Sequence, residues 1–196
     1  NGVIYLSATK WTKDGLEMTN NTAVRGTTAG SGTGVSLNFS KEYAPSLYRN
    51  YIHGFSTGLY ASGTFSNAIS NNVFANNTEY GVYFINAGSS YSDTPTFSNN
   101  VVFGSKIGFY GISLYSGDNR IINSVFWGNQ KDFDFLGVKG VTIEFNDTEK
   151  GVPVGSGVTA ENNLTVDPEF TDPEKGDYTL KNSSPLIDKG NPDAGS

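Results

Sequence analysis

The chain copies itself. The clearest unit runs Ile69-Ser70-Asn71-Asn72-Val73-Phe74-Ala75-Asn76-Asn77-Thr78-Glu79-Tyr80-Gly81-Val82-Tyr83-Phe84, and shorter copies begin at Arg49-Asn50-Tyr51-Ile52, Asn100-Val101-Val102-Phe103 and Asn123-Ser124-Val125-Phe126. Aligned on these phrases, one column reads Asn50, Asn71, Asn100, Asn123, a second Ile52, Val73, Val102, Val125, and a third His53, Phe74, Phe103, Phe126. The asparagine column advances by 21, 29 and 23 residues, close to one turn of a parallel β-solenoid (roughly 20 to 30) and below the ~33 of helical repeats. Each copy is then one rung that buries its apolar face only by stacking on the next.

The residue types agree. Glycine occurs 24 times, aromatic residues make up 13% and charged residues 16% of the 196 residues, with Asn, Ser and Thr crowded between short apolar runs. That is strand and turn chemistry, and it gives an all-β class. A solenoid can use this length as one unit, so residues 1–196 are expected to form a single domain: N-terminal rungs over 1–46, regular repeats over 47–145 and a closing segment over 146–196.

The formal charge is −6 with no basic run, so the electrostatic footprint of a nucleic-acid binder or of a protein drawn to anionic membranes is missing. No run of about 18 apolar residues offers a membrane span. Cysteine is absent, which removes disulfides, thiolate catalysis and cysteine-based zinc sites together. The opening Asn1-Gly2-Val3-Ile4-Tyr5-Leu6 reads as a strand rather than a signal peptide.

Val3 to Leu6, Leu16-Glu17-Met18 and Val35-Ser36-Leu37-Asn38-Phe39 read as strands. The glycine-rich Thr27 to Gly34 lacks the Lys-Ser/Thr ending of a phosphate loop and reads as a turn. Period-two spacing points Val82 and Phe84, Ile112 and Leu114, and Phe133 and Phe135 into the solenoid, with Val141, Ile143 and Phe145 continuing the stack. The asparagine column reads as a corner ladder, because Asn tolerates the left-handed backbone region and its amide bonds to backbone groups. The longest step contains Asn86 to Pro95, a loop the scaffold does not need, which makes Tyr91 and Asp93 candidates for specificity.

The tail carries Asp167-Pro168-Glu169-Phe170, Gly176-Asp177-Tyr178-Thr179-Leu180 and Ser184-Pro185-Leu186-Ile187-Asp188-Lys189-Gly190. With these phrases, residues 47–191 resemble the pectate-lyase-like superfamily of secreted bacterial proteins. The resemblance implies a single-stranded right-handed parallel β-helix with an irregular C-terminal capping segment, in which Phe170, Tyr178, Leu180, Leu186 and Ile187 cover the last rung. It also implies a secreted or cell-surface protein that handles polysaccharide. Members include lyases, hydrolases, esterases, epimerases and non-catalytic binding domains, so the site must decide.

A lyase of this kind needs acids to hold Ca²⁺ against a uronate and an Arg or Lys to take the proton beside it. The repeats offer Arg49, Lys106 and Arg120 with Asp118, Asp132, Asp134, Glu144 and Asp147, but no two acids share a column in consecutive rungs. Asp132-Phe133-Asp134 places two carboxylates on one outward face, the best Ca²⁺ candidate. The single histidine, His53, stands in the phenylalanine column and reads as a packing residue. Sugar binding asks for exposed aromatic faces beside polar groups, and Tyr51, Tyr60, Tyr83, Tyr110, Tyr115 and Trp127 are outward candidates. Tyr60 and Tyr83 follow the glycine of their rungs and should stack one rung apart, with Ser113 and Asp134 continuing their column.

The sequence therefore predicts a monomeric polysaccharide-binding β-helix, non-catalytic and assisted by Ca²⁺ at Asp132 and Asp134, with Tyr60, Tyr83, Tyr91, Tyr110 and Trp127 on the glycan. A polysaccharide lyase acting by β-elimination and a structural spacer or adhesin stalk are the alternatives.

Overall fold

The computed structural model describes residues 4–8, 17–25, 31–39, 46–63, 68–85, 96–114, 119–155 and 157–194; side chains are described from residue 17 on, except Asn38 and Phe39. The repeats stack as a parallel β-solenoid with three sheets. Sheet A holds Ile4–Ala8, Thr33–Phe39, Thr57–Gly63, Tyr80–Ile85, Ile107–Ile112 and Lys131–Leu136, in that order. Sheet B runs from Glu17–Thr19 through Ser46–Tyr48, Ile69–Ser70, Thr96–Ser98, Asn119–Ile122 and Val141–Glu144 to Val158–Glu161. Sheet C runs from Thr22–Val24 through Tyr51–His53, Val73–Ala75, Val101–Phe103 and Val125–Trp127 to Asp147–Thr148.

Stacking in register turns each inward position into a column. Val35, Leu59, Val82, Phe109 and Phe133 line sheet A, while Met18, Leu47, Ile69, Phe97, Ile121 and Ile143 line sheet B. Ile52, Phe74, Val102 and Phe126 line sheet C, and the aromatic members touch across the interior, as in Phe97–Phe109 at 5.5 Å and Phe126–Phe133 at 4.5 Å between centroids. Each square ångström of apolar surface so buried contributes about 25 cal/mol.

The corner between sheets B and C is an amide ladder. The Asn50 N–H donates to Asn72 Oδ1 at 2.9 Å, the Asn72 N–H to Asn100 Oδ1 at 2.9 Å, the Asn100 N–H to Ser124 Oγ at 3.1 Å and the Ser124 N–H to Asn146 Oδ1 at 2.9 Å. Asn21 and Asn163 extend it at the two ends. The residue before each rung of the ladder has left-handed backbone: Asn20, Arg49, Asn71, Asn99, Asn123, Phe145 and Asn162, with φ between 51° and 56°. The single column Asn50, Asn71, Asn100, Asn123 is thus corrected into two. Asn71 and Asn123 supply the turn, and their neighbours Asn72 and Ser124 supply the hydrogen bonds. Phe145 belongs to the turn column and does not enter the core.

Glycine governs the approach of rungs in sheet A. A Cβ on Gly58, Gly81 or Gly108 would stand 2.5, 2.7 or 2.8 Å from the carbonyl oxygen of Gly81, Gly108 or Asp132 in the next rung. Asp132 holds the same place in the last strand of the sheet. It keeps a side chain there, fully buried, whose Oδ2 accepts the Lys150 N–H at 2.7 Å.

The tail packs sideways. Phe170–Asp172 and Asp177–Leu180 form an antiparallel pair around a 3₁₀ turn at Pro173–Lys175. Phe170 and Tyr178 are buried against the outer face of sheet C, Tyr178 lying 5.1 Å from Phe103 and 6.5 Å from Tyr51 between ring centroids. That face is apolar (Val73, Ala75, Val101, Phe103, Val125) and needs cover more than the end of the core does, where Val152 and Val158 already pack. Leu180 and Ile187 stay exposed.

Candidate functional site

Tyr60, Tyr83 and Tyr110 occupy one outward column on adjacent strands of sheet A. Outside the sheet their rings meet: Tyr60–Tyr83 at 5.3 Å and Tyr83–Tyr110 at 5.0 Å between centroids, both edge to face. Tyr80 joins them, 5.2 Å from Tyr83 and stacked 5.2 Å from Tyr110. All four are partly exposed. Partial burial, and then the neighbouring phenols of Tyr110, Tyr60 and Tyr80, push the Tyr83 hydroxyl above the usual tyrosine range.

The rung spacing explains how these side chains come together. Gly58, Gly81 and Gly108 precede the buried Leu59, Val82 and Phe109, and the tyrosines follow at once. The expected column had continued through Ser113; Tyr110 takes that place. The third rung carries glycine at its inner position, Gly111, opposite Phe84 and Phe135, and Leu114 fills the space so left. A Gly-x-x-x pattern therefore occurs twice in that rung, and the later one is not the repeat. Ile112 pairs with Ile85 on the outer side rather than entering the core. Tyr80 escaped the sequence reading because it lies three residues from Tyr83, which strict alternation assigns to opposite faces. The alternation breaks at Gly81, where two buried residues follow one another.

The remaining candidates scatter. Trp127 lies on sheet C, partly covered by the tail, away from the tyrosines. Tyr51 stacks on His53 at 5.9 Å under the same tail. His53 shares its column with Val24, Ala75, Phe103 and Trp127, an outer one, so its neighbours are Tyr51 and the Asn76 amide, 3.1 Å from Nε2, rather than core phenylalanines. Tyr91, Asp93, Tyr115 and Asp118 fall outside the described residues.

Asp132 and Asp134 do not share a face. Asp132 is buried, its Oδ1 accepts from Asn129 Nδ2 at 3.1 Å and its Oδ2 from Lys150, while burial raises its pKa. Asp134 stays at the surface, 2.7 Å from Lys131 Nζ. The two carboxylates thus have separate partners, and no group of three His, Cys, Asp or Glu side chains is placed to hold a metal among the described residues.

The basic residues that a lyase would use are dispersed as well. Lys106 pairs with Glu79 at 3.0 Å beside the tyrosines, and the Arg49 guanidinium lies 4.6 Å from the Tyr48 ring. Arg120 pairs with Glu144 on sheet B, where Glu161 of the next strand stands opposite Glu144, so, against the sequence expectation, one pair of acids does share a column. Tyr48, Ser70, Thr96, Ser98 and Arg120 line a groove of about 660 Å³ along the outside of sheet B.

No helix among the described residues is long and apolar enough to cross a membrane. No curated protein and no solved structure is similar enough to match the chain. Residues 2–130 match the family model described as a right handed beta helix region. That span is well over half of the chain, its described strands stack in parallel, and the protein belongs to the right-handed β-helix family.

Proposed function

We propose that the protein binds polysaccharide on the tyrosine face of sheet A, outside the cell or at its surface, and does not cleave it. The observation that carries this reading is the grouping of Tyr60, Tyr80, Tyr83 and Tyr110 across three successive strands, with ring centroids 5.0 to 5.3 Å apart. Partly exposed aromatic rings offer apolar faces to the C–H side of sugar rings, while their hydroxyls and nearby Thr57 and Ser62 offer hydrogen-bond partners to sugar hydroxyls. A row of rings fixed one rung apart suits a chain of repeating units better than a single small molecule.

The reading as a binding module rather than a lyase draws on the dispersal of acids and bases described above. The test is affinity electrophoresis of the chain in gels containing soluble polysaccharides, with the absorbance at 232 nm followed in parallel for unsaturated uronate products. Retardation that is lost in Tyr60→Ala/Tyr83→Ala/Tyr110→Ala, without growing absorbance, is the expected result. Growing absorbance would replace it by a lyase, and retardation indifferent to the tyrosines would leave a spacer or another binding face.

A further inference from the structure

We infer that the tyrosine face takes an uncharged polysaccharide, a hexose or pentose chain without carboxylate, rather than a polyuronate. The inference rests on the glycan-binding reading and narrows it. Two cations border the tyrosine cluster, and each is already matched by an acid on the same face: Lys106 Nζ lies 3.0 Å from Glu79 Oε2, and Lys131 Nζ lies 2.7 Å from Asp134 Oδ1. Asp134 stands in the tyrosine column itself, opposite Tyr110, and Lys131 stands opposite Ile107. The hydrogen bond that Lys106 Nζ donates to Glu79 raises the lysine pKa, so this lysine stays charged at any physiological pH.

Among the described residues of the face, a sugar carboxylate therefore meets no lysine without an acid beside it. It would have to break an ion pair and then lie near the displaced Glu79 or Asp134. The whole chain carries −6, which adds long-range repulsion against a polyanion. The other outward positions of the same strands are Thr57, Ser62, Ile85, Ile107 and Ile112, which supply hydroxyls and apolar surface and no charge. Uncharged sugars need those two things.

The experiment measures retardation of the chain by xylan, a soluble β-glucan and mannan, and by polygalacturonate and alginate, at 25 and 300 mM NaCl. Binding to at least one uncharged polymer, changing less than about twofold with salt and at least tenfold tighter than to either polyuronate, is expected, since contacts without net charge are little screened. Tighter binding to a polyuronate, falling steeply with salt, would overturn the inference while leaving the tyrosine face as a glycan site. A Glu79→Gln/Asp134→Asn variant, which frees both lysines, should raise the ratio of polyuronate to uncharged-polymer affinity about tenfold; an unchanged ratio would overturn the charge argument. Retention of none of the five polymers would overturn the glycan reading and this inference together.

Discussion

The Tyr83 ring meets the Tyr110 ring edge to face, with centroids 5.0 Å apart and planes at 74°. Tyr83 also touches Tyr60 and Tyr80, so it is the member on which the others lean. Tyr83→Ala is expected to weaken glycan binding about tenfold, or ~1.4 kcal/mol, and more than Tyr60→Ala at the edge of the cluster. Tyr83→Phe keeps the ring packing and should retain most of the affinity. Affinity electrophoresis of the three variants checks the order.

Asn71 and Asn72 are neighbours with opposite roles. Asn72 is buried; its Oδ1 accepts from Asn50, and its Nδ2 donates to Leu47 O at 2.9 Å and Ser70 O at 3.0 Å. Asn72→Ala leaves buried partners unpaired and should cost about 2–4 kcal/mol in chemical denaturation. Asn71 sits at φ 56°, a conformation glycine adopts freely, and Asn71→Gly should stay within about 1 kcal/mol of the parent.

Asp147 should make the protein less stable as pH rises through weak acid. Burial first, and then the nearby Asp132 and Asp167 carboxylates, push its pKa up to about 6 from 3.8. The Val166 N–H is bonded to Oδ1, while Oδ2 is buried with no partner. A raised carboxyl pKa means that the native state holds the proton more tightly than the unfolded chain. The contribution of Asp147 to stability is then greatest below about pH 4, declines between 4 and 6, and is lower above by at most about 3 kcal/mol. Asp132, also raised by burial, acts in the same direction. Melting temperatures from pH 4 to 7 should fall less steeply in Asp147→Asn than in the parent.

Tyr178→Ala tests the tail. The ring packs on Phe103 and Phe170, and burial, then Tyr51, pushes its hydroxyl up to about 12. Losing it should cost about 3 kcal/mol. Glycan binding by the folded variant should be unaffected, because the tail covers sheet C and the tyrosine face belongs to sheet A.

Chelation gives a simple control. With Asp132 committed to Asn129 and Lys150, addition of EDTA should change neither the melting temperature nor glycan retention. A loss of either would place a bound cation elsewhere on the chain.

Much of this architecture is written in the repeat, and its errors are errors of register. The period gave the stacked rungs, and Val82, Phe84 and Phe133 point inward as their alternation requires. Doubled asparagines hid the corner: Asn71-Asn72 and Asn76-Asn77 present the same letter for a turn residue and a ladder residue, which differ only in φ and in hydrogen bonding. The same ambiguity between Gly108 and Gly111 displaced Tyr110 from its column. Asp132 looked outward because alternation was carried through the position that Gly58, Gly81 and Gly108 hold in earlier rungs, where two buried residues follow one another. The sideways tail was not legible, since nothing in Phe170 or Tyr178 says which apolar surface will receive it.

The column of Gly58, Gly81 and Gly108 ending in Asp132 also sets where this molecule can grow. A duplicate of a turn that carries Gly58, Gly81 or Gly108 brings its own glycine and slides in between existing turns, as interchangeable as a bead on a string. A turn added after Leu136 would press its carbonyl against a carboxylate already engaged with Lys150. Lengthening is thus open within the stack and barred after Leu136, and because the tail lies across several rungs of sheet C, a longer glycan-reading face gained there would need a longer cover on that sheet as well.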